Sequence, residues 1–177
     1  MANIYYKVNA ENATVAITNE AKEGYKLWNG TTKFCASRTA TIELYNDKFI
    51  LPVNSSSLFF WALNTTFNDM DKWDTSECTD MSYLFGSCDN LTTLDLSKFK
   101  TKQVTTMEGM FSNDPNLVSL SLLSFNTKSL TNMASMFFNC YALTEVNLWR
   151  FVTDKVTKMK DLFYNCTSLS KVWVSNR

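Results

Sequence analysis

Asp69, Asp71, Asp74, Glu77 and Asp80 crowd carboxylates into one short stretch, and five cysteines punctuate the chain, yet the 177 residues contain no histidine. Without an imidazole, Ser-His and Cys-His nucleophile pairs and His-ligated metals are excluded, and catalysis would fall to paired carboxylates, Lys or Tyr. The carboxylates could offer oxygen ligands to calcium, but they lack the glycine-punctuated twelve-residue loop that fixes such ligands, so they read as a solvated acidic face. The four glycines, Gly24, Gly30, Gly86 and Gly109, have no phosphate-loop spacing. The expectation is a chain with no catalytic residue, no cofactor and no metal site.

The elements behind these residues repeat every 26 positions without insertion, anchored at Trp73, Phe99, Phe125 and Phe151. Each anchor is followed by two threonines (Thr75 and Thr79, Thr101 and Thr105, Thr127 and Thr131, Thr153 and Thr157) and a methionine (Met81, Met107, Met133, Met159). Next come an apolar-Phe pair, as in Leu84-Phe85 and Met110-Phe111, and a closing Leu-x-x-Leu-x-Leu run, as in Leu91, Leu94 and Leu96. A period of this length marks a solenoid, whose units bury their apolar faces against one another. Cys88, Cys140 and Cys166 share one slot with Asp114, and Cys78 shares another with Val104, Leu130 and Val156. A cysteine that alternates with Val and Leu reads as a small buried hydrophobe, and only Cys140 and Cys166, in adjacent coils, come within disulfide reach.

Within a unit the spacing predicts turn, helix, loop and strand. Val104, Met107, Met110 and Phe111 fall on one helical face, Thr105 and Glu108 form a capping box, and Asn113, Asn139 and Asn165 stop the helix in left-handed turns. Leu117 to Leu122 alternates as a strand, which stacks in parallel on its neighbours. The first 57 residues are different in kind: short alternating pieces and an Asn29-Gly30 turn suggest a small antiparallel β unit that caps or anchors the ladder. Leu58-Phe59, one period before Leu84-Phe85, opens a degenerate half-unit, so the solenoid runs over 58–177. The fold class is an α/β repeat, an LRR-like solenoid of four units behind a β cap.

Charge is uneven beneath a net of zero. Residues 61–97 carry one basic and seven acidic side chains, and residues 98–177 carry ten and five. That gradient suits a directional contact rather than nucleic acid. No stretch approaches the ~18 apolar residues of a membrane span, and the first residues have no apolar leader.

The string from Trp73 through Met81 to Leu94-Asp95-Leu96-Ser97-Lys98-Phe99 resembles the repeat of bacterial surface proteins, including mycoplasma lipoproteins and Listeria-type surface proteins, and is similar to BspA-like leucine-rich repeats. The resemblance covers about residues 58–177 and implies a solenoid used for adhesion or recognition. Two non-enzymatic classes therefore stand: a surface module for a protein or cell-surface glycan, and a structural component of a larger assembly such as a bacteriophage virion. A hydrolase is a distant third. The expected location is the cell surface or a virion.

If Leu94 and Leu96 point inward, strand alternation turns Thr93 and Asp95 outward, followed in later coils by Ser119, Ser121 and Leu123, then Glu145, Asn147 and Trp149, then Lys171 and Trp173. This is the candidate binding face, with Leu123, Trp149 and Trp173 as its apolar cluster. At the last coil Leu162, Phe163, Leu169 and Val172 form a candidate end-on interface for a second copy, an assembly partner or further chain.

Overall fold

The computed structural model describes residues 3–9, 14–29, 41–44 and 48–175, and its architecture is a β-solenoid with a small sheet at one end. Strands β1 (Tyr5–Asn9), β2 (Thr14–Thr18), β3 (Lys26–Leu27) and β4 (Thr41–Leu44) form that sheet in the order β3-β1-β2-β4. β1 pairs antiparallel with β2 and β3, but β4 joins β2 in parallel, so the expected antiparallel unit is a mixed sheet. Gly30 and Lys33–Cys35, where a hairpin was expected, lie outside the described residues. Two asparagines fasten the sheet to the first coil. Asn64 accepts from the Ile42 N–H at 2.8 Å and donates to its carbonyl at 3.0 Å, while Asn19 does the same for Ile50 at 2.6 and 3.0 Å. Each carboxamide thus satisfies backbone groups that a neighbouring strand would otherwise bind.

The solenoid is built from very short strands: β5 (Phe49–Ile50), β6 (Trp73–Asp74), β7 (Thr93–Leu94), β8 (Ser119–Leu120), β9 (Glu145–Leu148) and β10 (Lys171–Val174). They pair in parallel as β5–β6, β7–β8 and β9–β10. A second wall is stitched by single parallel bridges that join Asn54, Asp80, Thr106, Asn132 and Lys158 in succession.

The predicted helices are absent: among the described residues the only helical piece is a 3-10 turn at Met70–Lys72. The segments read as helix are chains of tight turns. Every second N–H bonds back three residues, as Leu84 does to Met81 and Gly86 to Tyr83. The alternate N–H groups leave the coil altogether, those of Met81, Tyr83, Phe85 and Ser87 donating to the carbonyls of Thr106, Glu108, Met110 and Ser112. Left-handed residues recur every four positions, at Tyr83 and Ser87, Gly109 and Asn113, Ser135 and Asn139, and Asp161 and Asn165. A single left-handed residue of this kind interrupts the i→i−4 ladder, so the expected left-handed asparagines are present but end turns rather than helices. The capping box dissolves too: the Thr105 hydroxyl donates to the Thr79 carbonyl at 3.2 Å, and the Glu108 carboxylate accepts from Asn132 at 2.7 Å.

Identical residues stack at the axial spacing. Phe59, Phe85, Phe111, Phe137 and Phe163 form one ring ladder with centroids 5.4 to 6.1 Å apart and nearly parallel planes, each pair contributing about 0.5–1.5 kcal/mol beyond its buried area. Thr75, Thr101 and Thr127 are buried, and each hydroxyl accepts from an N–H of the next coil at 2.7 to 2.8 Å while donating to a carbonyl of the same residue. The two solenoid glycines follow from the aromatics beside them. The ring of Phe60 lies 3.1 Å from where a Cβ of Gly86 would sit, and a Cβ on Gly109 would overlap the ring of Tyr83.

The cysteine slot behaves as a buried column. Cys88, Cys140 and Cys166 are free thiols that donate to the carbonyls of Phe59, Phe111 and Phe137 in the preceding coil. Burial pushes the Cys78 thiol up to about 11 and raises Cys140 and Cys166 as well. In the same column Asp114 is 0% exposed. Its Oδ1 accepts the Cys88 N–H at 2.7 Å, its Oδ2 has no partner among the described residues, and burial lifts its pKa well above the ordinary value.

Three outcomes are expected. Gly109→Ala should destabilise the chain by about 1–3 kcal/mol, and urea melts should show part of that loss vanishing in the Tyr83→Ala background; strictly additive effects would remove the ring as the cause. Because folded Asp114 keeps a proton that the unfolded chain loses near pH 4, stability falls as pH rises from about 4 toward the elevated folded pKa and levels off above it. Asp114→Cys, matching its column, should therefore stabilise the protein at pH 7 by about 1–3 kcal/mol, with the gain shrinking toward pH 4; an equal gain at both pH values contradicts the buried-acid account. Thiol labelling of the native chain should reach half-buried Cys166 before buried Cys78, Cys88 and Cys140, and a faster Cys140 would contradict the column.

Candidate binding faces

The acidic stretch does not converge on a point. Asp74 pairs with Lys48 at 2.7 Å and Lys100 at 3.8 Å, and the Lys48 contact, helped by the Ser76 N–H, holds its carboxyl far below the usual range. Asp69 pairs with Lys72 at 3.2 Å, and Asp80 accepts the Ser82 N–H at 2.8 Å. These carboxylates tie coils and turns together. Among the described residues no group of three or more metal-type ligands is gathered in one place.

The strand alternation sorts the other candidates. Thr93, Asp95, Ser119, Ser121, Leu123, Glu145, Trp149 and Lys171 are exposed, whereas Asn147 and Trp173 are half-buried. Asp95 accepts the Ser97 N–H at 2.9 Å, which lowers its pKa, and Asn147 accepts the Trp149 N–H at 2.9 Å in the equivalent turn. That turn follows β9 directly and carries the Trp149 ring away from the core, where it is 57% exposed. Phe151 instead stacks on Phe125, with centroids 6.3 Å apart.

Leu123, 45% exposed, comes together with Trp149 on one open groove of about 570 Å³, whose other walls include Asn126, Lys128, Arg150 and Phe151. Trp173 is not part of this lining; the Lys171 ammonium sits 4.4 Å from its ring centroid, a cation–π contact that occupies the face. The three-membered apolar cluster is thus a pair plus a separately covered Trp. Lys128 and Arg150 were not among the expected site residues, because both lie in the turns after the strands, where period-two alternation gives no orientation.

At the far end Leu162, Phe163 and Leu169 are half-buried and Val172 is exposed, beside Met159 at 46% and Val174 at 57% exposure. All of these except Leu169 line a concavity of about 450 Å³ with Met133, Leu148 and Phe151. No described helix is long and apolar enough to cross a membrane.

No curated protein and no solved structure matches the chain. The model of one family, described as Mycoplasma protein of unknown function, DUF285, matches residues 53–176, the span occupied by the stacked coils, and the chain belongs to that family.

Proposed function

We propose that this chain is a non-enzymatic binding module that recognises a protein or a cell-surface glycan through the strand face of its solenoid. The observation that carries the reading is the Leu123–Trp149 groove: two large apolar side chains held outward by consecutive coils, beside Lys128 and Arg150. Binding energy concentrates on such exposed aromatics when a partner dries them. The non-enzymatic part rests on chemistry. The chain has no histidine, and among its carboxylates half-buried Asp74 is committed to structural contacts and fully buried Asp114 to a single amide. A surface location and kinship with BspA-like leucine-rich repeats are what the resemblance to bacterial surface-protein repeats implies, and they belong to the same proposal. The second reading, a structural component of an assembly such as a virion, is favoured by the apolar concavity that Leu162, Phe163 and Val172 line.

Trp149→Ala tests the first reading. It should leave the melting temperature within a few degrees while weakening retention on intact cells or immobilised surface glycans of the source organism's host by about tenfold, equivalent to ~1.4 kcal/mol. A drop in stability with retention unchanged would assign the ring to packing and remove the groove as the recognition surface.

A further inference from the structure

One corner of the solenoid gathers cations. The segments 72–76, 98–102, 124–128 and 150–154 occupy it in successive coils, and the threonine column holds them in register: the N–H groups of Lys100, Asn126 and Val152 donate to the hydroxyls of Thr75, Thr101 and Thr127 at 2.7 to 2.8 Å. Counterparts one period apart therefore stack at ~4.8 Å. One column of the corner reads Lys72, Lys98, Ser124, Arg150, and another Ser76, Lys102, Lys128, Asp154. The column next to the first reads Asp71, Ser97, Leu123, Trp149, so positive charge and exposed apolar surface run along the same edge.

In the first of these coils the cations have partners. Lys48 and Lys100 meet Asp74 at 2.7 and 3.8 Å, and Lys72 meets Asp69 at 3.2 Å. Further along the edge they do not: Lys98, Lys102, Lys128 and Arg150 are exposed and form no ion pair among the described residues. Lys98 lends its charge to Asp95 without such a contact, and Asp154, one coil beyond Lys128, does not close on it. Stacking Lys128 over Lys102 costs stability, because like charges set directly opposite on neighbouring segments repel. Fold stability is therefore not the reason for this pairing. Ser124, between Lys98 and Arg150, turns its hydroxyl to the Leu96 carbonyl at 2.8 Å and adds no bulk between them.

We propose that this corner binds an acidic glycan, a chain of sugars that carries uronic acids, laid along the solenoid axis. The inference rests on the reading of the Leu123–Trp149 groove as a recognition surface, and names its ligand. The apolar face of one sugar ring lies on Trp149 and Leu123, and its carboxylate meets Arg150 and Lys128, in a groove with no acidic residue in its walls. The planar guanidinium suits a carboxylate, which it can hold through two hydrogen bonds. Lys98 and Lys102 take the next acidic sugar: Lys98 and Arg150 stand two coils, roughly 10 Å, apart, a separation that a disaccharide spans. Two other polyanions fit less well. A nucleic acid strand gains most from successive aromatic platforms, and this corner exposes one ring, that of Trp149. An acidic peptide adding as a strand needs backbone donors, but those of Lys100, Asn126 and Val152 are taken by the threonines.

Immobilised hyaluronan, unsulfated chondroitin and alginate are the probes, with carboxyl-reduced forms of the same chains, polyglutamate and a single-stranded oligonucleotide as controls. The intact protein should be retained on at least one uronate chain, lose that retention on carboxyl reduction, and be released as ionic strength rises. The double variant Lys98→Ala, Lys102→Ala should weaken retention by about fivefold and Trp149→Ala by about tenfold, both with the melting temperature unchanged. The inference is overturned if no uronate chain is held, if carboxyl-reduced chains are held equally well, if the double lysine variant binds as the parent does, or if polyglutamate or the oligonucleotide is held as tightly. Where carboxyl-reduced chains are held and Trp149→Ala releases them, the groove stands and its acidic ligand falls. Retention that responds to the lysines but not to Trp149 overturns the groove and the inference together.

Discussion

The row of four N–H···O=C bonds that each coil donates to the next, as from Met81, Tyr83, Phe85 and Ser87, is the constraint on which the solenoid depends. Alternate N–H groups must point along the axis to reach the next coil, so the groups between them must find partners inside their own coil, and the only acceptors within reach are three residues back. That pattern demands left-handed residues at four-residue intervals, and the chain supplies Ser, Asn, Asp and Gly at most of those positions. Tyr83 and Trp61 are the exceptions, at φ 54° and 68°. Tyr83 is held there by the space that Gly109 opens under its ring and by its hydroxyl's 3.3 Å donation to Glu108. The strain of a bulky left-handed residue is thereby balanced by a contact that only the next coil provides.

Columns of identical side chains follow from that axial lock. Once each residue sits above its counterpart one period away, a phenylalanine meets a phenylalanine and a threonine hydroxyl meets the same backbone pair at each level. Stability then accumulates junction by junction, as in other stacked repeats, and a departure in one column is felt by the neighbouring layers. Asp114 illustrates this. It takes the Cys88 N–H, a donor that at the equivalent Cys140 and Cys166 bonds back to Phe137 and Phe163 inside the coil. One substitution in one layer has rewired a turn in the layer before it.

The period, the inward residues and the parallel stacking were legible in the sequence because they depend on register alone: Leu91, Leu117 and Leu143 recur at 26 positions and are all fully buried. The helices were misread for a physical reason. A chain of i→i−3 turns places apolar residues at spacings of three and four, so Val104, Met107, Met110 and Phe111 give the same signal as one face of a helix. The left-handed asparagines were the available correction, since their recurrence with Gly, Ser or Asp four residues earlier is incompatible with a continuous helix. In the candidate faces, alternation turned Trp149 and Leu123 outward, but it carried no information on the Lys171 ammonium over Trp173.

Inner uniformity is also what releases the outer surface. The stacked rings, threonines and axial bonds leave the outward strand positions no structural duty beyond solubility, and the first of them changes from Thr93 to Ser119 to Glu145 to Lys171, neutral to acidic to basic, at constant backbone geometry. Charge and shape on that face can vary layer by layer while each coil still fits the one below.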